Sequence, residues 1–169
     1  MEWLIGGVAL WWFLSQSGAS SSSSSDPIFK LAVQTAQRAG VDPAILLGII
    51  KVESNWNPSA TNLVGADAAR GGAYGLTQMT LRTARAFDPT ITGAELLDPV
   101  TNLRFAGQLL TDNARRGGKE WPDVAAMWNS GRTFDNAPES TRYEYVPRVI
   151  AAADSYARDL TLDLGEGDV

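Results

Sequence analysis

The fold of this chain is decided by one stretch, Ile45-Leu46-Leu47-Gly48-Ile49-Ile50-Lys51-Val52-Glu53-Ser54-Asn55-Trp56-Asn57-Pro58. Before Glu53 its only charged residue is Lys51, and a helix that is apolar nearly all round is usually buried. Asp42-Pro43 offers an N-cap followed by a first-turn proline. Asn57-Pro58 stops the helix, because the residue before a proline avoids the helical region. The stretch therefore predicts a buried helix with Glu53 at its C-terminal end.

A carboxyl group at this position lies in an environment that favours its protonated form. Burial removes water from the charge, and the C-terminal end of a helix carries partial negative charge. A carboxyl group that keeps its proton near neutral pH can act as a general acid. The alternative is an ordinary solvated glutamate in a last helical turn, which is the commoner case for an isolated Glu. The other motifs of the chain favour the general acid.

The composition restricts the chemistry that the chain can perform. Hydrophobic residues make up 44% of the 169 residues, which is enough for the core of one domain. The absence of Cys and His excludes disulfides, Ser-His-Asp and Cys-His systems and the usual zinc sites. Acid-base chemistry near neutral pH must then use carboxylates, Tyr or Lys, and we expect neither a metal nor a cofactor.

The charge is unevenly distributed along the chain. The net charge is -5, but residues 26–160 carry 15 acidic against 14 basic residues. A near-neutral domain without a basic stripe argues against nucleic acid as a partner. The remaining acids are concentrated in residues 161–169, which we predict to be a disordered acidic tail.

The N-terminal region has a separate character. Residues 3–14 form a continuous apolar run, shorter than the roughly 20 residues that span a bilayer comfortably. We predict a hydrophobic anchor or assembly helix over residues 1–19, which binds a membrane or a larger assembly. Residues 20–25 are all serine and predict a flexible linker. A cleaved signal peptide is the competing interpretation, but Glu2 and the lack of a basic residue argue against it.

The spacing of apolar residues between positions 26 and 160 predicts a predominantly α domain. Helix starts are indicated at Asp26-Pro27, Thr80 and Asp98-Pro99, and further helices at Pro122 to Trp128 and from Val146 to Leu160. Almost no stretch alternates with period two, so any sheet should be minor. Residues 59–75, rich in Gly, Ala and Asn, predict an irregular loop.

Four motifs follow one another in a fixed order. They are Glu53-Ser54-Asn55-Trp56-Asn57-Pro58 with Ala60, Gly72-Ala73-Tyr74-Gly75-Leu76-Thr77-Gln78, Met127-Trp128-Asn129-Ser130-Gly131, and Glu139-Ser140-Thr141-Arg142-Tyr143-Glu144-Tyr145-Val146. Together they resemble the soluble lytic transglycosylase family, whose motifs read roughly E-S-x-[FW]-[ND]-P-x-A, G-x-x-G-L-M-Q, A-Y-N-A-G and E-T-x-x-Y-V. Asp98-Pro99 with Asn102-Leu103 also resembles the start of a family helix.

The resemblance covers about residues 28–158 and implies a lysozyme-like fold for a single catalytic domain over residues 26–160. The sequence departs from the family pattern at three places. Thr77 stands where the family usually has Met, and Trp128 stands where it usually has Tyr. The loop over residues 62–72 also looks longer than is typical.

The resemblance implies that the substrate is the peptidoglycan glycan strand, cut at the β-1,4 bond between N-acetylmuramic acid and N-acetylglucosamine. Glu53 would be the single catalytic carboxylate. It would first protonate the leaving oxygen and then act as base on the sugar's 6-hydroxyl, closing a 1,6-anhydro ring. The substrate's N-acetyl carbonyl can stabilise the developing cation, so no second carboxylate is required. Attack within one molecule gains from proximity.

By position in the motifs, four polar residues would surround this acid. Ser54 would hydrogen-bond the substrate or the carboxylate, although it can equally be an ordinary helix-end serine. Gln78 and Asn129 would contact substrate in the cleft. Tyr145 would be the hydrogen-bond partner of Glu53, with Tyr143 as the rival for that role.

The remaining site predictions concern backbone and ring surfaces. Gly75 would let the backbone approach the sugar closely. Trp128 and Tyr74 are candidate platforms for sugar faces, whereas Trp56 is expected in the core or the cleft wall.

Two other functions fit the same residues. A goose-type lysozyme shares the fold and the glutamate but hydrolyses the bond with water. A non-catalytic glycan-binding membrane or virion assembly protein is the second alternative, although the joint presence of Glu53, Gln78, Asn129 and Tyr145 argues against a decayed site. We expect the protein in a bacterial cell envelope, membrane-associated and facing the wall, or in a phage virion.

Overall fold

A computed structural model describes residues 26–165 of the chain. The predicted anchor over residues 1–19, the linker over 20–25 and the last four residues lie outside the described residues. The helices are α1 (Pro27–Ala39), α2 (Pro43–Ser54), α3 (Gly65–Ala68), α4 (Leu81–Arg85), α5 (Pro99–Arg115), α6 (Trp121–Ser130) and α7 (Val146–Gly165). The strands are β1 (Thr61–Asn62), β2 (Ala73–Tyr74) and β3 (Met79–Thr80).

The predicted helix starts are confirmed by their capping geometry. The side chains of Asp26, Asp42, Thr80 and Asp98 each accept a hydrogen bond from a backbone N–H of the helix that follows. Such bonds satisfy donors that have no partner within the helix. The prediction of a predominantly α domain is likewise confirmed.

Helix α2 lies at the centre of the core. Every residue from Ala44 to Ile50 is buried, as its apolar sequence requires. It packs most extensively on α7, and also on α1 and α6. A Cβ on Gly48 would lie only 2.7 Å from the carbonyl oxygen of Val149 and 2.9 Å from the backbone nitrogen of Ala153. This close approach fixes the position of the middle of α2 relative to the first two turns of α7.

A small antiparallel sheet interrupts the region that was predicted as an irregular loop. Its strand order is β1-β2-β3, with Thr61 opposite Tyr74 and Tyr74 opposite Met79. Each strand has two residues, which is too short for alternation to be visible in the sequence. The prediction for residues 59–75 is therefore corrected to a loop that carries β1, α3 and β2.

The last helix is longer than the sequence predicts. A π-helical turn over Thr141–Tyr145 leads into α7, which continues to Gly165 rather than ending at Leu160. The predicted acidic tail therefore begins inside this helix. Within residues 26–165, no helix combines the length and the apolar character that a membrane span requires.

Candidate active site

Glu53 is the penultimate residue of α2 and is partly buried. The helix ends immediately after it, because Asn55 at φ 51° and Trp56 at φ 65° adopt the left-handed conformation. Residues other than glycine rarely adopt this conformation, and such strain is concentrated at functional sites. The sharp turn places the carboxyl group of Glu53 at the edge of the core.

Tyr145 is the direct partner of Glu53. Its hydroxyl donates a 2.5 Å hydrogen bond to Oε1 of Glu53. Burial, followed by the neighbouring charge of Glu53, raises the pKa of Tyr145 well above its ordinary value, so the phenol stays protonated and remains a donor. Tyr143, the predicted rival, is 67% exposed. The structure therefore brings Tyr145, and not Tyr143, to the carboxyl group.

The environment of Glu53 strongly favours its protonated form. Burial raises the pKa of Glu53 from its ordinary value of 4.5 to about 7. The Tyr145 hydrogen bond acts in the opposite direction, the negative charge of Asp67 raises the pKa, and the positive charge of Arg148 lowers it. With a pKa near 7, both the acid and the base form are accessible at neutral pH, which suits a group that must give and then take a proton.

Gln78 joins the first motif to the second. Its amide nitrogen donates to the carbonyl oxygens of Ala60 and Gly75, both at 3.1 Å. The backbone N–H of Gly75 also donates to the carbonyl oxygen of Ala60, at 2.8 Å. Gln78 itself is left-handed, with φ 46°. These bonds commit the amide nitrogen to the protein, so a substrate contact by Gln78 would have to use its amide oxygen.

Gly75 is required by the packing of the protein around it. It is buried, and a Cβ at this position would overlap the carbonyl oxygen of Leu96 and lie 2.5 Å from Nδ2 of Asn102. Its φ of 73° also favours glycine. The protein's own groups therefore already require a glycine here.

Asn102 organises the loop behind the site, a role that the sequence did not indicate. Its Oδ1 accepts bonds from the N–H of Thr77 at 3.1 Å and from the Thr77 hydroxyl at 2.7 Å. Its Nδ2 donates to the carbonyl oxygens of Tyr74 and Leu96, both at 2.9 Å. Thr77, which departs from the family pattern, is thus a buried partner of Asn102.

Ser54 is buried inside the protein, whereas Asn129 lies on its surface. Ser54 is fully buried, and its hydroxyl donates to the carbonyl oxygen of Ile50 at 3.3 Å. Of the two interpretations that the sequence left open for Ser54, this placement favours the helix-end serine. Asn129 is exposed on α6, and its Oδ1 accepts a 2.7 Å bond from the hydroxyl of Thr141. This bond occupies the amide oxygen of Asn129.

The aromatic residues divide between the core and the site. Trp56 is buried, stacks on Phe29 at 5.8 Å and donates to the hydroxyl of Tyr156 at 2.6 Å, so its predicted place in the core is confirmed. Trp128 is partly buried where two hydrophobic clusters meet. Tyr74 is partly buried, and its hydroxyl donates to the carbonyl oxygen of Gly71 at 3.0 Å. Both rings thus keep some surface open to solvent.

Asp67 influences Glu53, since its negative charge raises the pKa of that carboxyl group, and the sequence did not single it out. It lies in α3, within the long loop, and its Oδ2 accepts a 2.8 Å hydrogen bond from Nδ2 of Asn62. The only hint in the sequence was the unusual length of this loop.

Among residues 26–165, no cluster of three or more acidic side chains could hold a metal ion. The site therefore offers carboxyl, phenol and amide groups for acid-base chemistry and hydrogen bonding.

Comparisons with known proteins identify the family to which the chain belongs. A family profile described as "Transglycosylase SLT domain" matches residues 30–150. The chain therefore belongs to the transglycosylase SLT domain family, which confirms the predicted resemblance and the predicted class of enzyme, a lytic transglycosylase. It is also similar to the membrane-bound lytic murein transglycosylase F of Stutzerimonas stutzeri (strain A1501), with 36% identity over 77 residues. These residues are 46% of this chain but only 14% of that relative.

Proposed function

We propose that this protein cleaves the β-1,4 bond between N-acetylmuramic acid and N-acetylglucosamine in peptidoglycan and leaves a 1,6-anhydro product. The observation that carries the proposal is Glu53, a carboxyl group with a pKa of about 7 that Tyr145 holds by a hydrogen bond. Membership of the family supports the same reaction class. The opening of the wall would be local, since the site is carried by a small domain.

In the first step, protonated Glu53 gives its proton to the glycosidic oxygen as the bond to the muramic acid carbon breaks. The substrate's own N-acetyl carbonyl stabilises the positive charge that develops on that carbon, as in substrate-assisted enzymes. The hydroxyl of Tyr145 then stabilises the carboxylate that forms on Glu53. Asn129 would orient the N-acetyl group with its amide nitrogen, because its amide oxygen accepts the bond from Thr141.

In the second step, the carboxylate of Glu53 takes the proton of the 6-hydroxyl, whose oxygen attacks the same carbon and closes the anhydro ring. The proton given in the first step is thereby recovered, so the reaction needs neither water nor cofactor. Attack by a group of the same sugar gains from proximity. Trp128 and Tyr74 would contact the faces of bound sugars.

A second candidate is hydrolysis by the same glutamate. It is favoured by Asp67, whose charge reaches Glu53 and which is fixed by Asn62. A second carboxylate near the acid can orient a water molecule, as in inverting glycosidases. The products of the two reactions differ by one water molecule per cut, which allows them to be distinguished by mass.

The proposal extends to where the enzyme acts. The relative from Stutzerimonas stutzeri is described as membrane-bound. For this chain we propose that residues 3–14 bind a membrane or a larger assembly, in a bacterial envelope, a secretion apparatus or a phage virion. Sedimentation with liposomes should carry the full chain into the pellet and leave a chain that begins at Asp26 in the supernatant. A full chain that stays in the supernatant would contradict the anchor.

Substitution of the acid tests the catalytic assignment. Glu53→Gln keeps the shape of the side chain but cannot carry the proton, so release of soluble fragments from purified peptidoglycan should fall by at least about a hundredfold. Glu120→Gln is the matched control, because Glu120 is exposed. A folded Glu53→Gln protein that cleaves at a rate close to wild type would refute the assignment.

A further inference from the structure

An open cavity of about 470 Å³ lies between the loop after α3 and the helix α4. It is lined by Arg70, Gly71, Leu81, Arg82, Arg85 and Ala86. Three of the 14 basic residues of the chain meet here, and no acidic residue is on the lining. In a domain with a net charge near zero, this concentration gives one place a clear preference for anions.

Two of the three arginines, Arg82 and Arg85, are held in position by hydrogen bonds to backbone carbonyl groups. A terminal guanidinium nitrogen of Arg82 donates to the carbonyl oxygen of Ala69 at 2.9 Å, and Nε of Arg85 donates to the carbonyl oxygen of Ile91 at 3.2 Å. A guanidinium has five N–H donors in a fixed plane, so most of them remain for a ligand. This fork matches a carboxylate or a phosphate with two parallel bonds.

The cavity adjoins the candidate active site. Gly71 lines the cavity, and its carbonyl oxygen accepts the hydrogen bond of Tyr74, a candidate sugar platform. Nη1 of Arg70 lies 3.8 Å from Oδ1 of Asp67, whose charge reaches Glu53. The same short segment thus lines the cavity, holds Tyr74 through Gly71 and carries Asp67, whose negative charge raises the pKa of Glu53.

We propose that this cavity binds the carboxylates of the acidic peptide that branches from the glycan strand. The inference rests on the proposed function, because a strand bound at Glu53 would hold its peptides close to the cleft wall. Tethering raises their effective concentration at a second site. Leu81 and Ala86 offer apolar surface for the aliphatic parts of such a peptide. The cavity would thus make peptide-bearing strands better ligands than bare glycan.

Binding can be measured on the full chain by calorimetry, without cleavage. The probe is an N-acetylmuramoyl peptide with free carboxylates, compared with the same molecule after amidation of those carboxylates. We expect the free acid to bind at least about tenfold more tightly, and the preference to shrink as salt screens the charges. The double variant Arg82→Gln with Arg85→Gln should lose the preference.

Two further variants keep the result interpretable. Arg82→Lys with Arg85→Lys retains the charges and should restore part of the preference, even if the Gln variant loses stability. Arg38→Gln with Arg115→Gln removes the same charge from exposed positions of α1 and α5 and should leave the preference intact. If Arg82 and Arg85 served only to stabilise the fold, replacing them would weaken the binding of the free and the amidated ligand equally.

The proposal is overturned if the amidated ligand binds as well as the free acid, or if the Gln variant keeps the preference. It is also overturned if a glycerol phosphate oligomer of equal charge displaces the peptide, since the site would then belong to a phosphate polymer. Because no bond is cut, peptide binding stays measurable if the proposed cleavage fails. Conversely, lysis of peptidoglycan without this preference would leave the proposed function standing.

Discussion

The hydroxyl of Tyr145 donates a 2.5 Å hydrogen bond to Oε1 of Glu53, across 92 residues of sequence. The bond joins the end of α2 to the turn that leads into α7, the two helices that make the most extensive contact in the domain. It stabilises the charged form of the carboxyl group, whereas burial stabilises the neutral form. The balance of the two leaves a pKa near neutrality, and several expectations follow from it.

Tyr145→Phe should change both the rate and its pH dependence. Loss of the hydrogen bond removes an influence that lowers the pKa of Glu53, so the protonated acid should persist to higher pH. The fall in kcat/KM on the alkaline side should therefore move upward in pH. The maximal rate should drop roughly tenfold to a hundredfold, because the carboxyl group is less well oriented. Tyr143→Phe, at an exposed position, should change neither; an equal effect of both variants would contradict the assignment.

Asp67→Asn should move the alkaline fall in kcat/KM in the opposite direction. Its negative charge raises the pKa of Glu53, so its removal should lower that pKa and shift the alkaline fall to lower pH. Arg148→Gln removes a positive charge and should shift it upward. Opposite shifts, each reduced by added salt, would follow from charge interactions. Shifts in the same direction would show that the two variants act by disturbing the fold.

Glu53 should also make the stability of the protein depend on pH. Below pH 4.5 the group is protonated whether the chain is folded or unfolded, and it contributes nothing. Between pH 4.5 and about 7 the unfolded chain loses the proton while the folded protein keeps it, so the free energy of unfolding falls as pH rises. The loss amounts to up to about 3 kcal/mol and is complete above the folded pKa.

Glu53→Gln removes this penalty, so the variant should be more stable than wild type at pH 8 or 9 and close to it near pH 4. Denaturant unfolding of both proteins at these two extremes measures the difference. Glu120→Gln is again the control and should follow wild type. A Gln variant that is less stable than wild type in mild alkali would mean that the carboxyl group is not desolvated as described.

Asn102 should be essential to the stability of the loop behind the site. Asn102→Ala leaves two donor groups of Thr77 and the carbonyl oxygens of Tyr74 and Leu96 without this partner, which should cost about 3 kcal/mol. Thr77→Val removes only the hydroxyl and should cost about 1 kcal/mol. Thermal unfolding of the two variants tests this order, and a Thr77→Val variant as damaged as Asn102→Ala would contradict it.

The sequence was most informative where structure is local. The helix that contains Glu53 is marked by its apolar run, its Asp-Pro start and its Asn-Pro end, and each of these signals acts within a few residues. The helices and the burial of the site could be predicted for this reason. The exact end of α7 could not, because its last turns, up to Gly165, continue through an acidic segment that the sequence alone favours as disordered.

The roles that were missed depend on contacts between distant segments. Asn102 reaches Thr77 across 25 residues, and Asp67 acts on Glu53 through space. The contacts that require a glycine at position 75 come from Leu96 and Asn102, which lie 21 and 27 residues further along the chain. Ser54 is a similar case, because only the fold shows that its hydroxyl points to Ile50. Residue type and motif position cannot distinguish these outcomes.

The measurement that tests the central claim most directly is the mass of the products released from purified peptidoglycan by the full chain in heavy-oxygen-labelled water. If the 6-hydroxyl attacks under the control of Glu53, the muramic acid ends should be anhydro forms that lack one water and carry no label. Glu53→Gln should then release neither form. Reducing ends that carry the label would show hydrolysis by water and would contradict the account.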